Sequence, residues 1–145
     1  MRVLYVIDSL APGGAETSLA EMAPHLVGRG VDLHVLPLGS RLDLAERLEQ
    51  GGAVVHRGDV SGGRFGNIRA VLDTLHAVRP TVVHTTLFEA DVAGRTAARL
   101  GRVPVSTSLV TDSYGPSHRA ESVAAKLALA RAVDATTARF ATSIT

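Results

Sequence analysis

Short apolar runs alternate along this chain with stretches in which apolar residues recur at helical spacing. The first run, Val3-Leu4-Tyr5-Val6-Ile7, follows Met1-Arg2 and gives way to Asp8. It is shorter than the roughly 7 to 15 residues of a signal-peptide core and no cleavage-like site follows it, so it reads as a buried strand. Similar runs predict strands at 2–8, 32–38, 53–57, 81–86, 104–110 and 141–145. Between the first two, Leu19, Met22, Ala23, Leu26 and Val27 share one helical face and predict a helix over 15–29, stopped by Gly28 and Gly30. A short helix is expected over 42–50, ended by Gly51-Gly52. Ile68, Val71, Leu72, Leu75 and Val78 predict another over 66–79, closed by Pro80, which bars Arg79 from the right-handed helical region. Helices over 89–100 and 119–139 complete the series, the latter with Val123, Leu127, Ala130 and Val133 on one side. The alternation predicts an α/β fold: a three-layer, doubly wound, mostly parallel six-stranded sheet of Rossmann-like type.

The 145 residues suffice for one such domain and its core, and no repeat or shift of composition marks a boundary. The last run, Ala141-Thr142-Ser143-Ile144-Thr145, is strand-like with no turn signal behind it, so the sequence reads as part of a longer protein. Composition narrows the chemistry. A net charge of +1 without any block of like charge argues against a nucleic-acid or anionic-membrane footprint. The absence of Cys removes disulfides, thiolate metal sites and cysteine nucleophiles, and suits a reducing compartment. No stretch approaches the roughly 20 apolar residues of a membrane span. With aromatics at 3% and Ala abundant, the core must be aliphatic and the helices closely packed.

In a doubly wound sheet, ligands sit outside the carboxyl ends of the strands, near the point where strand order reverses. After the first strand comes Asp8-Ser9-Leu10-Ala11-Pro12-Gly13-Gly14-Ala15-Glu16. Two glycines at a helix N-terminus let backbone N–H groups approach a phosphate; equally, Pro-Gly-Gly is a tight turn with Glu16 complementing the helix dipole. A dinucleotide fingerprint is missing, since G-x-G-x-x-G is absent and Leu38-Gly39-Ser40-Arg41 supplies no ribose-binding acid. A phosphorelay receiver would need an acidic pair after the first strand and a Lys after the fifth, and the one Lys, Lys126, lies on the last expected helix. His84, at the mouth of the fourth strand, is either a hydrogen-bonded structural residue or a functional one. The loop Ser61 to Asn67 is either a surface loop or a flap carrying Arg64 as an anion contact. Asp112 and Tyr114 either bind a polyhydroxylated ligand or cap the following helix. His25, His34, His56, His76 and His118 show no paired metal-ligand spacing, and no nucleophile elbow is present.

The opening Arg2-Val-Leu-Tyr-Val-Ile-Asp-Ser-Leu-Ala-Pro-Gly-Gly-Ala-Glu16-Thr17 resembles the N-terminal half of GT-B glycosyltransferases of family 4, relatives of glycosyl transferases group 1. Arg79-Pro80-Thr-Val-Val-His84 is similar to that family's R-P-D-V-V-H run, and Ala90-Asp91-Val-Ala-Gly94-Arg95-Thr-Ala-Ala-Arg99-Leu to its fourth helix. The terminal Ala-Thr-Ser-Ile-Thr resembles the strand before its "A-V-S" step. The resemblance implies that residues 1–145 are the N-terminal acceptor-side domain, with a C-terminal donor-binding domain absent from this chain. It implies hexosyl transfer from a nucleotide sugar, with retention of configuration, to a small-molecule, glycan or lipid-linked acceptor. Neither a cofactor nor a metal is expected. Gly13 and Gly14 would approach the donor diphosphate, and Ser9, Arg64, His84, Thr111, Asp112 and Tyr114 would line the acceptor side. Val110 stands where many members place a sugar-contacting His, and Thr86 where some complete an H-x-H. The family's paired glutamates belong to the other half, so this chain alone is expected to be catalytically silent. It is expected in the cytoplasm, at most peripheral at the inner face of the membrane. The alternatives are a stand-alone, non-catalytic Rossmann-like module binding a phosphorylated or sugar ligand and, more weakly, one half of a sugar-nucleotide epimerase.

Overall fold

The computed structural model describes residues 1–58 and 62–108, with the backbone of 143–144. The helix expected over 119–139 and the outer ends of the strands expected at 104–110 and 141–145 lie outside the described residues. Five strands, β1 (Arg2–Ile7), β2 (Asp32–Pro37), β3 (Val54–Val55), β4 (Val82–Thr86) and β5 (Val105–Ser108), are joined by a two-residue sixth, β6 (Ser143–Ile144). They lie in the order β3-β2-β1-β4-β5-β6. Every neighbouring pair is parallel, with Tyr5 opposite His84 and Ile7 opposite Thr86 at the centre. The described helices are α1 (Gly14–Gly28), α2 (Ala45–Gln50), α3 (Gly63–Val78) and α4 (Phe88–Gly101).

The period-2 alternation of the strands divides the core between two faces. Tyr5, Ile7, Leu33 and Val35 meet Leu19, Ala20 and Ala23 of α1 and Ala45 and Leu48 of α2. Leu4, Val6, Leu36, Val83 and Val105 meet Val71 and Leu75 of α3 and Ala90, Ala93, Ala97 and Ala98 of α4. The doubly wound, Rossmann-like architecture read from the sequence is the one observed.

Element ends follow local chemistry. Gly30, at φ 84°, donates to Val27 O while Val31 donates to Leu26 O, the paired bonds of a left-handed helix cap. Arg79 is barred from the right-handed region by Pro80 and takes φ 51°, ψ 59°, with its N–H on Leu75 O. Three expectations need correction. Met22 is not on the buried face of α1: it is 44% exposed, and the buried stripe runs through Ala15, Glu16, Leu19, Ala20 and Ala23. The small alanines let α1 lie against the sheet on that side. The second helix starts at Ala45, because Leu10 donates to Arg41 O and accepts from Leu44 N, holding 41–44 as a loop against the β1–α1 segment. The third helix starts at Gly63, where Gly62 at φ 99° turns the chain into it.

Helix α4 approaches the sheet at Gly94, where an added Cβ would collide with Cγ2 of the fully buried Thr85. Beside it Arg95, 1% exposed, pairs with Asp91 at 3.2 Å and bonds the Thr107 hydroxyl at 3.2 Å. Gly94→Ala is therefore expected to lower stability by about 1–3 kcal/mol through overpacking, although alanine is by about 1 kcal/mol the better helix former. Urea unfolding of the two proteins measures the difference.

Candidate functional site

Strand order reverses between β1 and β4, so the loops leaving these two strands face each other across a crevice. The β1 loop is pinned by the Leu10 bonds and by a contact of Ala11 N–H with the Ser9 hydroxyl at 3.4 Å, so the half-buried Ser9 shapes the turn. The β4 loop is a single residue, Leu87, at φ 77°. Two helix N-termini, of α1 and of α4, thus meet at the carboxyl ends of the two central strands.

Their caps differ. At α4, the Asp8 carboxylate reaches across from β1 and accepts from Ala90 N at 2.6 Å and Glu89 N at 3.3 Å. Burial raises the Asp8 pKa above the usual carboxylate value; the two backbone bonds oppose that rise, and the charges of Glu89 and Glu16 add to it. At α1, Gly13 is the N-cap in extended conformation, with no side chain of its own to cap the helix, and among the described residues no side-chain hydrogen bond reaches its first N–H groups. The first intrahelical bond is from Thr17 N to Gly13 O, so the N–H groups of Gly14, Ala15 and Glu16 precede the ladder. A Cβ on Gly14 would meet nothing within 4 Å, whereas one on Gly13 would collide with the Glu16 carboxylate. The two adjacent glycines therefore differ: Gly13 makes room for Glu16, and Gly14 opens outward.

The remaining expected residues fall into two groups. Arg64 lies in the first turn of α3 rather than in a flap, because the helix starts three residues early. Its guanidinium pairs with Glu89 at 3.3 Å and stands 5.7 Å from the Phe88 ring centre, which brings it to the α4 N-terminus. Beside it Phe65 is 87% exposed. His84 is not at the mouth but in the middle of β4, its ring 4.7 Å from Tyr5 and its Nε2 2.9 Å from Ser108 Oγ. Burial lowers its pKa and favours the neutral imidazole. One step nearer the crevice, the Tyr5 and Thr86 hydroxyls lie 2.8 Å apart, and burial holds the Tyr5 pKa above its usual value. Thr111, Asp112, Tyr114 and Val110 lie outside the described residues.

The crevice thus gathers the carboxylates of Asp8, Glu16 and Glu89, the Arg64 guanidinium and the open N–H groups of α1. It offers hydrogen-bond acceptors and donors to a polar ligand. Among the described residues, no group of three His, Asp or Glu is arranged to hold a metal ion, and no helix is long and apolar enough to cross a membrane. A groove of about 530 Å³ between α1 and α2, lined by Glu21, Pro24, His25, Arg47 and Gln50 among others, includes none of the crevice loops. Sequence reasoning missed Asp8 as the cap of a helix 80 residues away, and the burial of Glu16. It also missed the 2.8 Å contact between His34 Nδ1 and His56 Nε2, which follows from the pairing of His34 with Val54 in the β2–β3 register.

Residues 13–145 match the family described as glycosyl transferase 4-like domain. Among solved structures, the chain superposes on Anabaena Alr3699/HepE in complex with UDP with a TM-score of 0.72 at 24% identity, covering 99% of this chain and 37% of that one. Acinetobacter baumannii MurG gives 0.66 at 16%, covering 99% and 40%. The UDP-GlcNAc 2-epimerase of Methanocaldococcus jannaschii gives 0.60 at 13%, covering 99% and 38%. The chain spans about two fifths of each of these structures, and at such identities the likeness is one of fold. No curated protein matches the chain in sequence.

The Asp8 bridge is open to test. Asp8→Ala is expected to cost about 1–2 kcal/mol, the usual penalty for losing an N-cap, and Asp8→Asn less, because an amide oxygen still accepts from Ala90. Because folding raises the Asp8 pKa, the protonated form is favoured in the folded state. Wild-type stability should therefore rise relative to Asp8→Asn as pH falls from neutral through the raised value toward the ordinary carboxylate value of 3.8. Urea midpoints across this range read both effects.

Proposed function

Because this chain belongs to the glycosyl transferase 4-like domain family, we propose that it is the N-terminal, acceptor-side half of a two-domain glycosyltransferase. In this reading a hexosyl unit passes from a nucleotide sugar to an acceptor with retention of configuration, and a second domain outside residues 1–145 binds most of the donor. The observation that carries the reading is the uncapped α1 N-terminus at the strand-order reversal, on the Gly-Gly turn where the family match begins. Fold likeness to a protein solved with UDP supports a nucleotide-sugar donor. Retention rests on the resemblance of the opening motif to family 4.

The α1 turn, Asp8, Glu89 and Arg64 each have a task in this reading. The departing nucleoside diphosphate gains negative charge as the glycosidic bond to it breaks, and the N–H groups of Gly14 and Ala15 stabilise that charge from the open side of the turn. Gly14 is suited to this by its lack of a side chain in open space. Asp8 and Glu89 keep the α4 N-terminus and Arg64 occupied, which leaves α1 as the place for the phosphates. Ser9 shapes the turn, while Arg64, Thr111, Asp112 and Tyr114 are assigned to the acceptor side and His84, bonded to Ser108 in mid-strand, supports the strands beneath it. No metal or cofactor is needed for this step.

Incubation of the full-length protein with uridine, guanosine and thymidine diphosphate sugars and candidate acceptors is expected to release a nucleoside diphosphate and form a glycoside. The product's anomeric configuration, read by NMR coupling constants, should equal that of the donor. Residues 1–145 alone should give no turnover. Nucleotide-sugar binding without turnover in the full protein would favour the binding-module alternative, and epimerised sugar without transfer would favour an epimerase half.

A further inference from the structure

The edge strand β3 is two residues long, and from it the chain runs through His56 to α3 and Arg64. The backbone tie of this segment to β2 ends with the bond from His56 N–H to Val35 O at 2.8 Å. Side chains add a second tie. His34 of β2 shares a face of the strand with Leu36, which packs in the core under α3. Its Nδ1 stands 2.8 Å from His56 Nε2, and the two rings stack with centres 5.1 Å apart. The other nitrogen of His34 lies 3.2 Å from the Asp32 carboxylate, which in turn is paired with Arg2 of β1. Arg2, Asp32, His34 and His56 thus form one chain of contacts across three strands, and none of them has a task in the mechanism above.

Proton counting fixes what this chain of contacts can do. The Arg2 guanidinium holds the Asp32 carboxyl below the usual carboxylate range, and a carboxylate only accepts, so His34 Nε2 carries a hydrogen. In neutral His34 the facing Nδ1 is then bare, and His56 Nε2 supplies the hydrogen between the rings. One added proton leaves the contact intact, because the positively charged pair still has a single hydrogen between its facing nitrogens. A second added proton puts hydrogens on both facing nitrogens and sets two positive rings against each other. Burial, and then the charge of His34, hold the His56 pKa below the ordinary histidine value. Among the described residues, the charged groups of the flanking helices are paired or in solvent: Arg69 and Asp73 of α3 pair with each other, His76 of α3 is exposed, and Glu49 of α2 is paired with Arg57. We propose that His34 and His56 form a pH-operated clasp on the β2–β3 edge, closed with no more than one added proton and open with two, which in the open state releases the segment leading to α3. The clasp does not depend on the transferase reading, since none of its groups is assigned to donor or acceptor.

The test follows the ring nitrogens of both histidines by NMR in the full-length protein as pH falls from about 8 to about 5, together with the protection of the His56 amide against hydrogen exchange. At the upper end His34 should carry its hydrogen on Nε2. The second proton should enter the pair below the ordinary histidine value, and the His56 amide should lose protection over the same range. That loss should be about tenfold for each pH unit by which the closed clasp depresses the titration, because the open form takes its proton at the ordinary value. The Val83 amide, bonded to Pro104 O on the far side of β1, is the internal reference and should keep its protection. His34→Gln removes one of the two charges and should flatten the loss at His56, whereas Arg69→Gln on the exposed side of α3 should leave it unchanged. Two rings that titrate independently at the ordinary histidine value overturn the proposal. So does a His56 amide that stays protected once both rings are charged. Loss of protection at Val83 in step with His56 also overturns it, since the whole sheet would then be yielding to acid rather than its edge. The nitrogen and exchange measurements use the wild-type protein, so they do not depend on the folding of a variant.

Discussion

The Asp8 carboxylate joins the two halves of the sheet at the point where strand order reverses. It leaves β1, which continues into α1, and accepts the N–H groups of Glu89 and Ala90 that begin α4 after β4. Two helix N-termini are brought together there by the topology, each with a partial positive charge and unpaired donors. Asp8 satisfies one of them from within the chain. The other, α1, has among the described residues neither a capping side chain nor a Cβ on Gly14 to cover it. In the proposed function this asymmetry directs the diphosphate to α1, and it depends on the 2.6 Å contact of Asp8 with Ala90 N.

That contact needs α4 held close and in register. Gly94 removes the side chain that would keep α4 off Thr85, and the Arg95 pair with Asp91 and bond to Thr107 lock the helix to β5. A buried ion pair of this kind adds little net stability over an apolar substitute, but removing one partner is costly because the other is left charged in the core. The pair therefore acts as a register device for α4. On the opposite face, the Leu10 bonds to Arg41 and Leu44 hold the loop that delivers Asp8 and Gly13. The crevice is consequently built on short, tied segments, the β4–α4 connection being the single residue Leu87.

The layer order and most of this geometry were legible as pattern, because strand and helix periods depend on local spacing. The six described strands and four described helices overlap the spans that apolar spacing predicts, with α2 and α3 starting three residues late and three residues early, and the turn at Gly13-Gly14 stood out by its two glycines before a helix. What escaped depends on contacts between distant residues. His84 looked like a mouth residue because it follows two valines, yet the register with Tyr5 and Ser106 places it inside the sheet. Met22 fitted the helical stripe by hydrophobicity, while the sheet selected the alanine side of α1 and buried Glu16 with it. No spacing rule reveals an acid that caps a helix 80 residues later. Arg64 comes to the α4 N-terminus through its pairing with Glu89, which depends on where α3 begins.

Together the open α1 turn and the internally capped α4 make the Gly14 side of the crevice the place where the proposed function seats a diphosphate. That placement is tested most directly by a crystal structure of the full-length protein with a bound nucleotide sugar. A diphosphate oxygen is expected within about 2.7–3.2 Å of the Gly14 or Ala15 amide, between the N-termini of α1 and α4. A diphosphate seated away from that turn, or one bound by α4 with Asp8 displaced, would contradict it.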